Sequence, residues 1–145
     1  MVRRFGTVAG IASALLLLVV PTASAASGAT TITLNSFSSG ETFTATGGVI
    51  CPSGTATTDF HKFAGGGAGV AGSFHLTKTL VCTDGSGSFT IEVNAATVFG
   101  SPTDQGGWAV LSGDGRYATL SGGGNLVGTY VPEGIVDVYT GWLSR

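Results

Sequence analysis

The sequence predicts an all-β fold: a single eight-stranded antiparallel β-barrel, with a two-sheet sandwich as the runner-up. Three observations carry this. Short runs alternate apolar and polar residues with the period of a strand; Phe89, Ile91, Val93 and Ala95 alternate with Thr90, Glu92 and Asn94. Tight-turn signals separate the runs. No stretch of ten or more residues after Ala25 keeps a helical period, and Ala, Leu, Glu and Lys are sparse there. Closure into a barrel removes the exposed edges that a Thr/Val-rich chain would otherwise present.

The first element is a leader. Arg3 and Arg4 form a basic start, residues 5–20 are an apolar run ending in Val19-Val20, Pro21 breaks it, and Ala23-Ser24-Ala25 has the small residues of a cleavage site. That pattern predicts a secretory signal peptide over 1–25 and a β-barrel domain over 26–145, with no membrane anchor after processing, since the apolar part is short for a span. The Arg-Arg pair alone does not single out a twin-arginine route.

Eight strands are then expected over 30–37, 42–50, 57–64, 73–82, 88–97, 108–112, 125–131 and 135–143. Asp84-Gly85 and Ser86-Gly87 mark a tight hairpin between the fourth and fifth. Pro132-Glu133-Gly134 turns the chain between the last two, and the Gly65-Gly66-Gly67-Ala68-Gly69 tract is a surface loop between the third and fourth. No repeat of fixed period appears, which disfavours propellers and solenoids.

Charge narrows the partners. Past residue 25 the chain has four basic residues against eight acidic ones, so its formal charge is −4. It has neither the basic footprint of a nucleic-acid binder nor a polybasic membrane patch. Cys51 and Cys82 are the only cysteines. In an oxidising compartment the pair predicts one intramolecular disulfide joining the ends of the second and fourth strands, worth about 3–4 kcal/mol in the chain-entropy account. No Cys-x-x-Cys and no His at ligand spacing supports a metal or redox site.

The segment Thr79-Leu-Val-Cys82-Thr-Asp-Gly-Ser-Gly-Ser-Phe-Thr-Ile91, followed by Gly107-Trp108-Ala-Val-Leu-Ser-Gly113-Asp-Gly115-Arg-Tyr117-Ala-Thr-Leu120-Ser-Gly122-Gly-Gly124, resembles small secreted bacterial proteins with an allene-oxide-cyclase-like or dirigent-like barrel. The likeness lies in glycine spacings and one aromatic, over about two thirds of the chain beyond the leader. It implies an eight-stranded barrel that can hold an interior cavity. No residue here matches the active acids or cavity residues of those proteins, so neither radical-coupling guidance nor oxylipin cyclisation carries over.

Site chemistry is sparse. Gly113-Asp-Gly115-Arg-Tyr-Ala118 has the spacing of a dinucleotide fingerprint but lacks the following helix, so no cofactor is expected. Its glycines predict a structural corner in which Tyr117 and Leu120 close one barrel end. Gly-x-Ser-x-Gly is absent. His61 and His75 read as exposed strand histidines, the acids as scattered, mostly in turns, and Tyr139 and Trp142 as lying on opposite strand faces. No catalytic or metal residue is assigned. Lys78 shares phase with Phe74, Leu76 and Leu80, which points it inward as a candidate cavity residue. The cost of burying an ammonium favours instead a bulge, or a place at the mouth where it snorkels to water.

The functional expectation is a secreted, non-enzymatic β-barrel module that binds an apolar small molecule inside the barrel or contacts another surface. The alternative is a barrel enzyme, or a dirigent- or cyclase-like guide, acting on a hydrophobic substrate. An open cavity with a paired Lys78 and converging acids would favour the alternative, and a filled interior a structural or surface role.

Overall fold

A computed structural model describes residues 26–65 and 69–145; the expected leader, and residues 66–68 of the glycine tract, lie outside the described residues. Eight antiparallel strands close into a barrel in which each pairs with its sequence neighbours and β1 with β8. They are β1 (Ser27–Phe37), β2 (Gly40–Thr46), β3 (Ser53–Gly65), β4 (Ala71–Cys82), β5 (Gly87–Val98), β6 (Thr103–Gly115), β7 (Ser121–Val131) and β8 (Gly134–Ser144). The expected barrel is therefore the architecture, and the runner-up sandwich does not form. No helix occurs among the described residues.

Alternation decides the inside. Ile32 and Leu34, Leu76 and Leu80, and Phe89, Ile91 and Val93 point into the core, with Trp108 and Tyr139 from the later strands. Val110 is partly buried against the same cluster. Opposite it the ladder skips a residue: Thr90 pairs with Ser112 and Ile91 with Val110. The extra residue, Leu111, is left unpaired by this β-bulge and is exposed to solvent.

The two ends of the barrel differ. At the end holding the β4–β5 and β6–β7 turns, Tyr117 and Leu120 fold inward and are buried, as the glycine-punctuated corner predicts. Gly115 adopts φ +61°, a left-handed conformation open to glycine at little cost. The Tyr117 ring meets Phe89 edge-on at 5.6 Å, and Phe89 meets Phe43 at 6.3 Å. These rings fill the lower barrel. Cys51 and Cys82 form a disulfide across 31 residues at the same end.

Strand bounds depart from expectation at several ends, most informatively in β2, β3 and β6. The second strand ends at Thr46, not residue 50, because Gly47 and Gly48 take φ +105° and +74° and turn the chain across the barrel end. Val49, Ile50 and Cys51 are buried there as part of the plug, so the disulfide ties the β2–β3 loop, not a strand end, to the end of β4. The third strand starts at Ser53 and the sixth at Thr103. Asp104, Gln105, Gly106 and Gly107 are poor strand formers, yet they pair on both sides, with β5 and β7, so sheet context overrides propensity.

Candidate functional site

The opposite end, where the β1–β2, β3–β4, β5–β6 and β7–β8 connections gather, is open among the described residues. A cavity of about 350 Å³ enters the barrel there. Phe60, Phe74, Leu76, Val93, Leu126 and Ile135 form its apolar walls, and Lys78, Glu41, Asp104, Asp137, Tyr130 and Tyr139 supply its ionisable groups. Two wider grooves, about 620 Å³ each, lie on the outer wall and include many outward-facing strand residues such as His75, Asn94, Gln105 and Val127.

Lys78 corrects the sequence reading. It sits in unbroken register between Thr58 and Ile91, without a bulge at its position, and is 4% exposed, so it neither leaves the interior nor snorkels. Its burial is compensated by partners. The ammonium donates to Thr58 Oγ1 at 2.8 Å and Ser36 Oγ at 3.2 Å, and lies 3.6 Å from Glu41 Oε1 and 3.7 Å from Asp137 Oδ2. Thr58 in turn donates to Glu41 at 2.7 Å. A buried charge held by opposite charges and hydroxyls is the arrangement that makes burial tolerable.

The acids converge where the sequence reading scattered them. Glu41, Asp104 and Asp137 lie in β2, β6 and β8, not in turns, and all three line the cavity. Asp104 pairs with Gly128, and Gly128 with Asp137, so the two aspartates occupy one row across three strands. Phase was the signal that could have found them: Glu41 shares strand phase with Phe43, Asp104 with Trp108 and Asp137 with Tyr139, each on the inward face.

Electrostatics differ within the row. Burial holds the Asp137 carboxyl above its ordinary range; the Lys78 ammonium and the Tyr139 hydroxyl oppose this, and the like charge of Asp104 reinforces it. Tyr139 donates to Asp137 Oδ2 at 3.1 Å, and burial followed by the charge of Asp137 pushes its phenol upward, so it remains a donor. Tyr130 donates to Asp104 Oδ2 at 3.2 Å; its phenol is also raised, by burial and then by Asp104. Asp104 Oδ1 is buried without a hydrogen-bond partner.

His61 and His75 lie on the outside of the wall, away from this cluster. His61 is the extra residue of a bulge between Phe60 and Lys62. Its ring lies 5.5 Å from that of His75, whose Nε2–H donates to Glu92 Oε1 at 2.8 Å. That bond lowers the Glu92 carboxyl. Tyr139 is buried and Trp142 exposed, on opposite faces. The group Cys51, Cys82 and Asp84 is compact enough for an ion, but both sulfurs are spent in the disulfide.

The fold and site together define a closed barrel, plugged at one end and holding an ionisable cavity at the other. No protein-family model, no curated protein and no solved structure matches the chain.

Proposed function

We propose that the protein is a secreted barrel that binds an amphipathic small molecule in its open mouth. One observation carries the reading: a cavity of about 350 Å³ with apolar walls and a hydrogen-bonding, ionisable floor. That size and polarity suit a small organic ligand, whose apolar body would face Phe60, Phe74 and Leu126. The disulfide fits an oxidising compartment, and the leader pattern supports export. Native mass spectrometry of protein purified from its own culture medium tests the reading. The expected result is an added small-molecule mass that disappears in a Leu126→Trp variant that still unfolds in a single cooperative transition. A ligand-free protein, or a bound mass untouched by Leu126→Trp, refutes it.

A second reading is favoured by the pairing of Lys78 with Glu41 and Asp137, the convergence set out above as the mark of an enzyme or guide. Asp137, held above its ordinary range beside Lys78 and Tyr139, is the cavity carboxyl best placed to exchange a proton with a ligand. Incubating the extracted ligand with wild-type protein and with Asp137→Asn separates the two: a product formed by the wild type alone establishes chemistry, and an unchanged ligand leaves binding.

A further inference from the structure

We propose that the Asp104–Gly128–Asp137 row is a receptor for the ammonium group of a small organic amine. The inference rests on the small-molecule reading above and names the ligand's polar end. The first observation is space. The register sets two inward carboxylates on either side of a residue with no side chain. A Cβ at Gly128 would overlap Asp104 Oδ1 and come within 2.8 Å of Asp137 Oδ1, so glycine is what lets the two carboxylates lean together over the row.

The second observation is an unmet acceptor. Asp104 is 6% exposed, lines the cavity, and has one carboxylate oxygen with no partner. An unpaired buried carboxylate oxygen is costly, and a donor arriving with a ligand removes that cost. The third is charge. The cavity holds three carboxylates and one cation, Lys78, whose ion pairs go to Glu41 and Asp137; none among the described residues reaches Asp104. An anionic ligand would meet this excess of negative charge, whereas an ammonium relieves it and supplies three donors.

A bare metal ion fits less well. Glu41, Asp104 and Asp137 do not bring three ligand atoms within 4.8 Å of one another; among the described residues only the disulfide group does so. Hard divalent cations take six or more oxygens. An ammonium needs fewer contacts, and its organic body gains burial against Tyr130 and Ile135 at the mouth.

The test compares phenethylamine with the neutral phenethyl alcohol, titrated into the protein at neutral pH by calorimetry, with amide NMR shifts of Gly128 and Tyr130 locating the site. The amine is expected to bind at least tenfold more tightly than the alcohol and to shift both amides. Asp104→Asn, which keeps the shape and removes the charge, is expected to weaken the amine at least tenfold and leave the alcohol unchanged. Equal wild-type affinities, with Asp104→Asn indifferent, overturn the ammonium site while the pocket stands. Shifts elsewhere, or no binding of either probe, overturn the site and count against the pocket as well. The wild-type comparison needs no variant, so it decides even if Asp104→Asn folds poorly.

Discussion

Replacing Tyr117 with alanine removes the ring that closes the plugged end of the barrel. The ring is 1% exposed and packs edge-on against Phe89 at 5.6 Å. Truncating a buried aromatic of this kind costs about 3–5 kcal/mol, the range set by how far the site collapses. Collapse should be limited here, because the surrounding positions are fixed by the barrel ladder. The hydroxyl shares a hydrogen bond with Ser86 Oγ at 2.9 Å, worth about 1 kcal/mol net. Tyr117→Phe should therefore lose about 1 kcal/mol and Tyr117→Ala the larger amount. For a domain of this size the alanine variant should melt about 10–20 °C lower. Urea unfolding followed by circular dichroism, at unchanged m-value, measures both. A loss below about 1 kcal/mol for Tyr117→Ala would mean that the ring is not a core element. If such a variant also lost binding of a co-purified ligand, the corner would be a functional site.

Three further outcomes follow from the same geometry. Reducing Cys51–Cys82 should cost about 3–4 kcal/mol, seen as a lower urea midpoint with reductant than without. Lys78→Met leaves Glu41 and Asp137 without their cation and should cost about 3–5 kcal/mol at neutral pH, whereas a lysine snorkelling at the mouth would cost within about 0.5 kcal/mol. Asp137, facing Lys78, Tyr139 and Asp104, binds its proton more tightly folded than unfolded; its contribution is present below the unfolded value of about 3.9 and is lost as pH rises through the raised folded value. The stability of wild type minus that of Asp137→Asn should thus fall as pH rises from about 4, and a flat or rising difference in urea midpoints contradicts the assignment.

The barrel was readable because its inward residues alternate with polar ones on strands short enough for the pattern to stand out, as from Phe89 to Ala95. The corner was readable because Gly113 and Gly115 flank an acid and precede an aromatic that must be buried somewhere. The site was read only in part. Lys78 was found by phase, and then drawn toward the surface by the cost of burial, because that cost was weighed without its partners. Those partners, Ser36, Glu41, Thr58 and Asp137, come from strands far away in sequence, and the barrel register alone brings them within reach. Asp104 was missed for a different reason. It lies beside Pro102 and Gly106-Gly107, a stretch with the composition of a loop, and is made a strand by its neighbours on both sides.

The division between the two ends also explains how the chain tolerates such an interior. Three carboxylates and one lysine around a cavity do not favour folding: desolvation opposes each charge, and the void forfeits contacts that a filled core would make. The stabilising burial must then come from elsewhere. It is concentrated at the other end, where Phe43, Phe89 and Tyr117 interlock and Cys51–Cys82 holds the connecting loop. Because every strand runs from one end to the other, rigidity at the plug is carried along the closed ladder to the mouth. Asp104, Gly128 and Asp137 are thereby held in one row without having to contribute to stability themselves. Asp104→Asn, which removes a cavity charge that has no ion pair, is accordingly expected to be neutral or stabilising for the fold, unlike Lys78→Met, which strands two carboxylates, and unlike changes at the plug. A site whose charges oppose folding, carried on a scaffold stabilised at the other end, is what a role in ligand recognition would demand of these residues.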